Sequence, residues 1–320
     1  MPIIHVTERR RFKNCRRAWQ YSDKIGLKKI KDDRNALWLG RGVHTALAGY
    51  YSGQNEQDAF DEWLEKTVPQ PARDAFSTEE FSRFHEMIDL ATTMIAGYIQ
   101  FAKQSDTFEV ISVEKKLSAK IPGTKGTLVG TIDLLVRQGG RLWVYDHKTC
   151  ASFIDPQLLD LDDQMTSYLW LVWKTYGEMP AGAVYNQLRK KIPAEPYLLK
   201  SGKSLSKDKS IDTTYKKYYD AILTHGFNPE DYEDTLIKIA EKKFYCRELV
   251  PRNKNELGNF EQHLVDEYRE MASKNTPIYS NPTRDCSWCD YLCLCKAENE
   301  GGDVQSLKDG LFVVEPGKRL

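Results

Sequence analysis

The sequence lacks any apolar run of about 18 residues, so no segment is expected to cross a membrane as a helix. Its first residues, Met1-Pro2-Ile3-Ile4-His5, hold no apolar core of the signal-peptide kind. Without either, the expected location is the cytoplasm, a reducing compartment. Net charge is missing too. The 46 Lys and Arg balance 46 Asp and Glu, which argues against a uniformly basic protein that coats DNA. No internal repeat is present. A complete P-loop is also absent. Gly202-Lys203-Ser204 mimics the end of one, but its first glycine would fall at Tyr197, which excludes a built-in helicase motor. What remains is an ordinary globular composition. Its 41% hydrophobic residues suffice to bury a core, and 320 residues allow one large domain or two smaller ones.

Charge is balanced in sum but uneven along the chain. Arg9, Arg10, Arg11, Lys13, Arg16 and Arg17 crowd the N-terminus. From Arg189 to Lys217 there are nine Lys and Arg against three Asp and Glu. Such stretches suit a phosphate backbone, or else they are solvated faces balanced by acids nearby in space.

Periodicity predicts a short helix within 5–25, then helices over 36–51 and 56–66. A long helix over 78–104 places Phe81, Phe84, Ile88, Ala91, Ile95 and Tyr98 at three- and four-residue spacing. A strand over 108–119 follows. Further helices are expected over 157–176, 213–224, 229–242 and 259–273, with a strand over 183–189. Residues 301–320 look like a loosely held tail.

Two adjacent strand-like runs carry the most information. The first is Leu128-Val129-Gly130-Thr131-Ile132-Asp133-Leu134-Leu135-Val136, and the second is Arg141-Leu142-Trp143-Val144-Tyr145-Asp146-His147-Lys148-Thr149. Gln138-Gly139-Gly140 between them is turn chemistry, so they read as a hairpin. A hairpin can bring Asp133 and Asp146 together. Two carboxylates at one point repel unless a cation joins them, and oxygen ligands suit Mg²⁺ or Mn²⁺. Lys148 lies two residues beyond Asp146, on the same face of the strand, where its ammonium can orient an attacking water. The bland alternative for Asp146 and Lys148 is a surface ion pair. Glu114, on the preceding strand, could support the site as a further carboxylate. Upstream, Gly40-Arg41-Gly42-Val43-His44 puts a histidine in a helix, where a satisfied surface histidine is the simplest reading. Gln164 and Tyr168 lie four apart and share a helix face, where packing is their simplest role.

With these four parts in this order, the chain resembles the PD-(D/E)XK nuclease superfamily. It looks most like the RecB-like branch, which includes CRISPR-associated RecB-like exonucleases and phage-encoded relatives. The pattern is a helix histidine, a Gly-x-x-Asp strand, an acidic-x-Lys strand and a Gln-x-x-x-Tyr helix. Here the acid before the lysine is Asp rather than the commoner Glu. The resemblance spans roughly residues 5–296 and is weak from about 192 to 243. It implies an α/β restriction-endonuclease-like core, a mixed central sheet flanked by helices, with added helices and a C-terminal cysteine-rich segment. One nuclease domain would cover 1–300. Its core would run from about 36 to 190, with a basic insertion at about 191–225. A helical and cysteine-rich part, 226–296, would complete it, followed by the 301–320 tail. By the same resemblance His44, Asp133, Asp146 and the His147 backbone carbonyl would hold Mn²⁺ or Mg²⁺. A histidine ligand favours Mn²⁺. Lys148 would position the water, and Gln164 and Tyr168 would steady Lys148 or the DNA backbone.

There are seven cysteines. Cys286-Ser-Trp-Cys289 is followed by Cys293 and Cys295, and Cys15 sits 271 residues before Cys286. Clustered cysteines in a reducing compartment suggest a metal rather than disulfides. Zinc would take Cys286, Cys289, Cys293 and Cys295, although Cys293-x-Cys295 is tight for a zinc hairpin. The resemblance points instead to Cys15, Cys286, Cys289 and Cys295 around a 4Fe-4S cluster. Such a cluster would staple the two ends of the chain together. Cys150 and Cys246 read as core cysteines.

The resulting expectation is a metal-dependent DNA nuclease, in particular an exonuclease on single-stranded ends. It would serve recombination, repair, phage DNA metabolism or CRISPR adaptation, and a phage-encoded form would work in the host cytoplasm. The alternative is a non-catalytic or partner-dependent DNA-binding subunit beside helicase, recombination or CRISPR adaptation proteins. Loss of His44, Asp133, Asp146 or Lys148 would favour that alternative, and all four are present.

Overall fold

The computed structural model describes residues 2–30 and 36–315. Strand β1 (Ile3–His5) leads into helix α1 (Val6–Asn14) and the short α2 (Arg16–Trp19). A π turn (Gln20–Ile25) then delivers β2 (Leu27–Lys29). Four helices follow: α3 (Ala36–Tyr51), α4 (Glu56–Thr67), α5 (Gln70–Asp74) and α6 (Thr78–Ser105). Their starts are chemically marked. Asn55 accepts the Gln57 and Asp58 N–H groups at α4, and Ser77 with Glu80 forms a capping box at α6. The central strands are β3 (Glu109–Lys120), β4 (Thr127–Gln138) and β5 (Arg141–Cys150), with β4 and β5 forming the expected hairpin. Then come α7 (Asp163–Tyr176), β6 (Gly182–Arg189), α8 (Tyr215–Thr224), α9 (Glu233–Ala240), β7 (Tyr245–Pro251) and α10 (Lys254–Ala272). The chain closes with α11 (Leu292–Glu300), α12 (Val304–Leu311) and β8 (Phe312–Val314).

Six strands form one mixed sheet. β3, β5 and β7 run antiparallel to β4, β4 and β6 respectively, while β1 runs parallel to β4 and β6 parallel to β5. One face is covered by α1, α2, α7 and α10, through Phe12, Trp19, Met165, Trp170, Phe260 and Leu264. The other is covered by α3, α4 and α6, through Val43, Leu47, Phe60, Met94, Ile95 and Tyr98. This is the restriction-endonuclease-like α/β arrangement, with helices on both faces and the cysteine-rich segment at the C-terminal end. No helix among the described residues is long and apolar enough to cross a membrane.

Several elements depart from the sequence expectation. The helix expected over 157–176 begins at Asp163, because Asp162 caps it by accepting the Met165 N–H, and a 3-10 turn (Pro156–Leu159) fills the start. β7 was not anticipated. Its Tyr-Cys-Arg-Glu-Leu-Val-Pro sequence alternates poorly, and it is an edge strand ending in proline. The tail is folded over its described part. α12 leads into β8, which pairs with β2, and Phe312 packs on Tyr21, Leu27 and Tyr291. Residues 316–320 lie outside the described residues. After Arg189, Leu205, Tyr218, Ile222, Tyr232, Leu236 and Ile239 form a small core of their own.

Candidate active site

The site forms where the central sheet splits. β3 occupies one edge of β4 along nearly its whole length. The other edge is shared: β1 pairs with residues 127–129, and β5 pairs with residues 134–138. Residues 130–133 are left without a strand partner on that edge. There the Asp133 carboxylate takes the place of a ladder carbonyl. Its Oδ2 accepts the His147 N–H at 2.7 Å. Gly130 fits the same gap for steric reasons. A Cβ there would come within 2.9–3.1 Å of Leu171, Val6 and Tyr168.

The alternation of side chains also breaks at this point. Leu128 and Ile132 pack on the α7 face, whereas Leu134 and Val136 pack on the α3 face, although strict alternation would keep all four together. β3 switches opposite it: Val113 packs on the α3 face and Leu117 on the α7 face. Glu114 lies at the switch with φ +46°, a conformation that a non-glycine residue adopts at a cost. The switch aims Glu114 and Asp133 at one place. Together with His44 from α3 they present three donor atoms within 4.8 Å of one another. His44 Nδ1 stands 3.5 Å from Asp133 Oδ2.

Asp146 and Lys148 share the α7 side of β5. Lys148 Nζ lies 2.6 Å from Asp146 Oδ2. Burial works against the Lys148 ammonium, but Asp146 outweighs it and pushes the lysine pKa up to about 12. Burial drives Asp146 itself up to about 6 despite Lys148. Asp133 is also buried, yet the hydrogen bond and charge of His44 hold it down at about 2. Burial would lower the His44 pKa, but Asp133 overcomes this and raises it. Glu114 keeps an exposed surface. Partial burial of its carboxyl and then the Asp133 charge push it up to about 7. On α7, Gln164 Nε2 donates to the Tyr168 hydroxyl at 2.8 Å. Tyr168 is pushed up to about 12 by burial and then by Asp146. A cleft of about 850 Å³ opens over His44, Glu114, Asp133 and Lys148, with Arg41, Trp63 and Lys190 also on its walls.

The His147 ring turns the other way, as alternation requires. It stacks on Tyr51, with ring centroids 5.8 Å apart, and its Nδ1 lies 2.7 Å from Asn186 Nδ2. Asn186 also donates to Tyr98 at 2.9 Å and accepts from Arg247 at 3.2 Å. Arg247 pairs with Asp106 at 2.6 Å, and Tyr51 donates to the same carboxylate at 2.9 Å. Burial pushes His147 down to about 3, so the ring is neutral. His147 meets the site through its backbone N–H, which donates to Asp133, and through an edge contact of its ring with the His44 ring, with centroids 6.0 Å apart.

A family model described as the PD-(D/E)XK nuclease superfamily matches residues 6–296, a span that includes these strands. The chain belongs to the PD-(D/E)XK nuclease superfamily. Among solved structures, this PD-(D/E)XK nuclease is similar to SSO0001, at 12% identity and a TM-score of 0.36, covering 92% of this chain and 86% of that one. It is also similar to a candidate exonuclease from Eubacterium rectale, at 12% identity and a TM-score of 0.40, covering 90% and 93%. No curated protein matches. Nucleases of this superfamily use divalent metals such as Mg²⁺ or Mn²⁺, and the His44, Glu114 and Asp133 donors suit such an ion.

His44 and Asp133 come together as anticipated, Glu114 joins them, and Asp146 pairs with Lys148 instead of entering that close group. The sequence offered no sign of this, because a break in alternation is caused by a backbone conformation and not by a residue type.

In the same nuclease, Cys15 reaches the C-terminal cysteines. Burial and then the charges of Cys289 and Cys15 push Cys295 up to about 11. Cys289 is raised by burial, then by Cys15 and Cys286. Cys289, Cys293 and Cys295 all pack against the apolar cluster around Tyr21 and Tyr291.

The N-terminal arginines are mostly neutralised. Arg9 is buried between Asp163 and Glu267, Arg11 pairs with Asp23, Arg16 with Glu270 and Arg17 with Glu298. In the 189–217 stretch, Asp212 pairs with Arg189 and Lys191, and Glu195 pairs with Lys217. For these side chains the balanced-face reading holds.

Proposed function

We propose that this chain is a metal-dependent deoxyribonuclease that works as an exonuclease on single-stranded DNA ends. The observation that carries the reading is the junction of Asp133, Glu114 and His44 beside the Asp146–Lys148 pair, at the floor of an open cleft. His44, Asp133 and the His147 carbonyl hold the ion, Glu114 closes the donor set, and Asp146 approaches from β5. When bound, the ion neutralises charge developing on the scissile phosphate. Lys148 donates a hydrogen bond to the attacking water and orients it toward phosphorus. Asp146 keeps the lysine charged and in place. Tyr168 and Gln164 wall the lysine on the α7 side and steady the DNA backbone.

Cys15, Cys286, Cys289 and Cys295 hold a 4Fe-4S cluster that ties the chain ends together. The approach of Cys15 to Cys286 and Cys289, with which it lines one cavity, supports this reading over a zinc set that leaves Cys15 out. The cluster is structural, and it fixes α1 against the C-terminal segment. Iron analysis and visible absorbance of anaerobically purified protein test it, with Cys15→Ala expected to bleach the colour and Cys293→Ala to keep it. A colourless protein carrying one zinc would rule it out.

The nuclease reading is tested with end-labelled single- and double-stranded DNA in Mn²⁺, Mg²⁺ or EDTA. Nucleotide-by-nucleotide release from single strands that stops in EDTA is expected. Cleavage undiminished in EDTA, or none with either ion, overturns it.

A further inference from the structure

A smaller cavity, of about 310 Å³, opens off the active-site cleft. The two share Thr45, Ala48, Trp63 and Glu114, so they are continuous. The extension runs on between α3, α4 and β3, past Gly49, Ser52, Gln54, Ala59 and Val113.

Trp63 is a wall of both spaces. Gly42 on α3 makes room for it, because a Cβ there would lie 2.6 Å from the indole. Trp38 and Phe60 support the ring, with centroids 4.8 and 5.8 Å away. The indole nevertheless stays half-buried. An aromatic ring that is fixed by its neighbours and open to a cavity can stack on another flat ring.

Charge separates the two spaces. The cleft carries Arg41, Lys148 and Lys190 beside its carboxylates. Among the described residues that line the extension, the one cation is Lys66, which lies 3.5 Å from Glu62, and Glu114 adds a second carboxylate. A phosphate is therefore held in the cleft and repelled from the extension. Uncharged groups remain there. Among the described residues the Ser52 hydroxyl and the Gln54 side-chain amide have no hydrogen-bond partner. A flat aromatic face with neutral donors and acceptors around it matches a nucleobase.

We propose that the extension is a nucleobase subsite, in which the base of the terminal nucleotide stacks on Trp63 while its phosphate stays at the metal-binding donors of the cleft. The proposal rests on the nuclease reading and extends it to recognition of the strand end. A terminal base has one stacking neighbour to leave instead of two, so it turns into a side cavity at the least cost.

The test is a double-mutant cycle between protein and DNA. Three oligothymidylates are used with the full-length protein: one intact, one lacking the base of its 5′-terminal nucleotide and one lacking the base of its 3′-terminal nucleotide. Binding is measured in Ca²⁺ and cleavage of the intact strand in Mn²⁺. Trp63→Leu removes the aromatic face but keeps an apolar side chain, and it should weaken binding of the intact strand roughly tenfold. Removing the base at one end should cost wild type the same factor and cost Trp63→Leu nothing further. Trp63→Phe should recover most of the loss and of the coupling. Ala48→Leu narrows the opening that the two cavities share. It should weaken the intact strand by the same factor and leave the strand lacking that terminal base unaffected, and it decides the matter if Trp63→Leu does not fold. Arg83→Ala, which removes an exposed charge from α6, is the control and leaves every quantity unchanged. If wild type cleaves while neither terminal base is coupled to residue 63 or 48, the subsite is overturned and the nuclease reading stands. If the coupling appears but wild type cleaves nothing, the subsite stands and the nuclease reading falls. A wild type that binds no single strand overturns the subsite.

Discussion

Two polar clusters lie back to back across strand β5, and they are built by opposite rules. Behind the strand, His147, Asn186, Tyr98, Tyr51, Arg247 and Asp106 form a buried network in which the one cation faces one anion. In front, Asp133, Asp146 and Glu114 face only Lys148 and His44. The rear cluster is satisfied by the protein itself, so it stiffens the strand. The front cluster has an excess of carboxylate that the protein does not neutralise, so it is suited to a divalent cation. The His147 N–H, which donates to Asp133, and the edge contact of the His44 and His147 rings connect the two. The stiff side therefore sets the position of the reactive side.

The largest expected effect is on the front. Asp146→Ala or Lys148→Ala should lower cleavage at least a hundred- to a thousandfold while the protein stays folded, as seen by circular dichroism. Near-full activity in either variant removes the site. The matching test behind the strand is Arg247→Met. It leaves Asp106 as a buried charge without its partner and should cost about 3–5 kcal/mol in urea denaturation. A cost near zero would mean that the rear network is not a rigid support.

Adding Mn²⁺ should stabilise wild type by about 2.7 kcal/mol at a hundred times its dissociation constant. Asp133→Asn should lose that gain, whereas Arg247→Met should keep it. A metal shift that survives Asp133→Asn places the ion elsewhere.

Neighbouring residues on β5 should also show opposite pH linkage in metal-free protein. His147 falls from its ordinary 6.5 to about 3, so the unfolded chain binds more protons and stability is lost as pH drops from 6.5 toward 3. Asp146 rises from 3.8 to about 6, so the folded chain binds more protons and stability is lost as pH climbs through that interval. Denaturation midpoints of wild type against His147→Gln, and against Asp146→Asn, should diverge in opposite directions between pH 4 and 6. Parallel pH curves for the two comparisons would contradict the front and rear assignment. The smallest effect is expected for Tyr51→Phe, which removes one hydroxyl between Tyr98 and Asp106 and should cost about 1 kcal/mol.

Much of the core was legible before folding was considered. The hairpin, the helix bearing His44 and the helix bearing Gln164 and Tyr168 follow from periods of two and 3.6 and from a Gly-Gly turn. The three-residue strands β1, β2 and β8 are too short for any period to register. Glu114 was visible as a strand carboxylate, but its approach to Asp133 depends on a left-handed backbone angle that its residue type does not encode.

The sequence by itself determined which groups share a strand face. Asp146 and Lys148 point one way and His147 the other, because alternation is a local property of extended backbone. Tertiary structure decided which distant groups meet. It placed Cys15 beside cysteines 271 or more residues away, paired Arg16 and Arg17 with acids while Arg10 has no carboxylate partner among the described residues, and brought Glu114 to Asp133 and His44. Those outcomes depend on how helices pack on both faces of the sheet, and packing contacts between remote segments leave no period in the sequence that makes them.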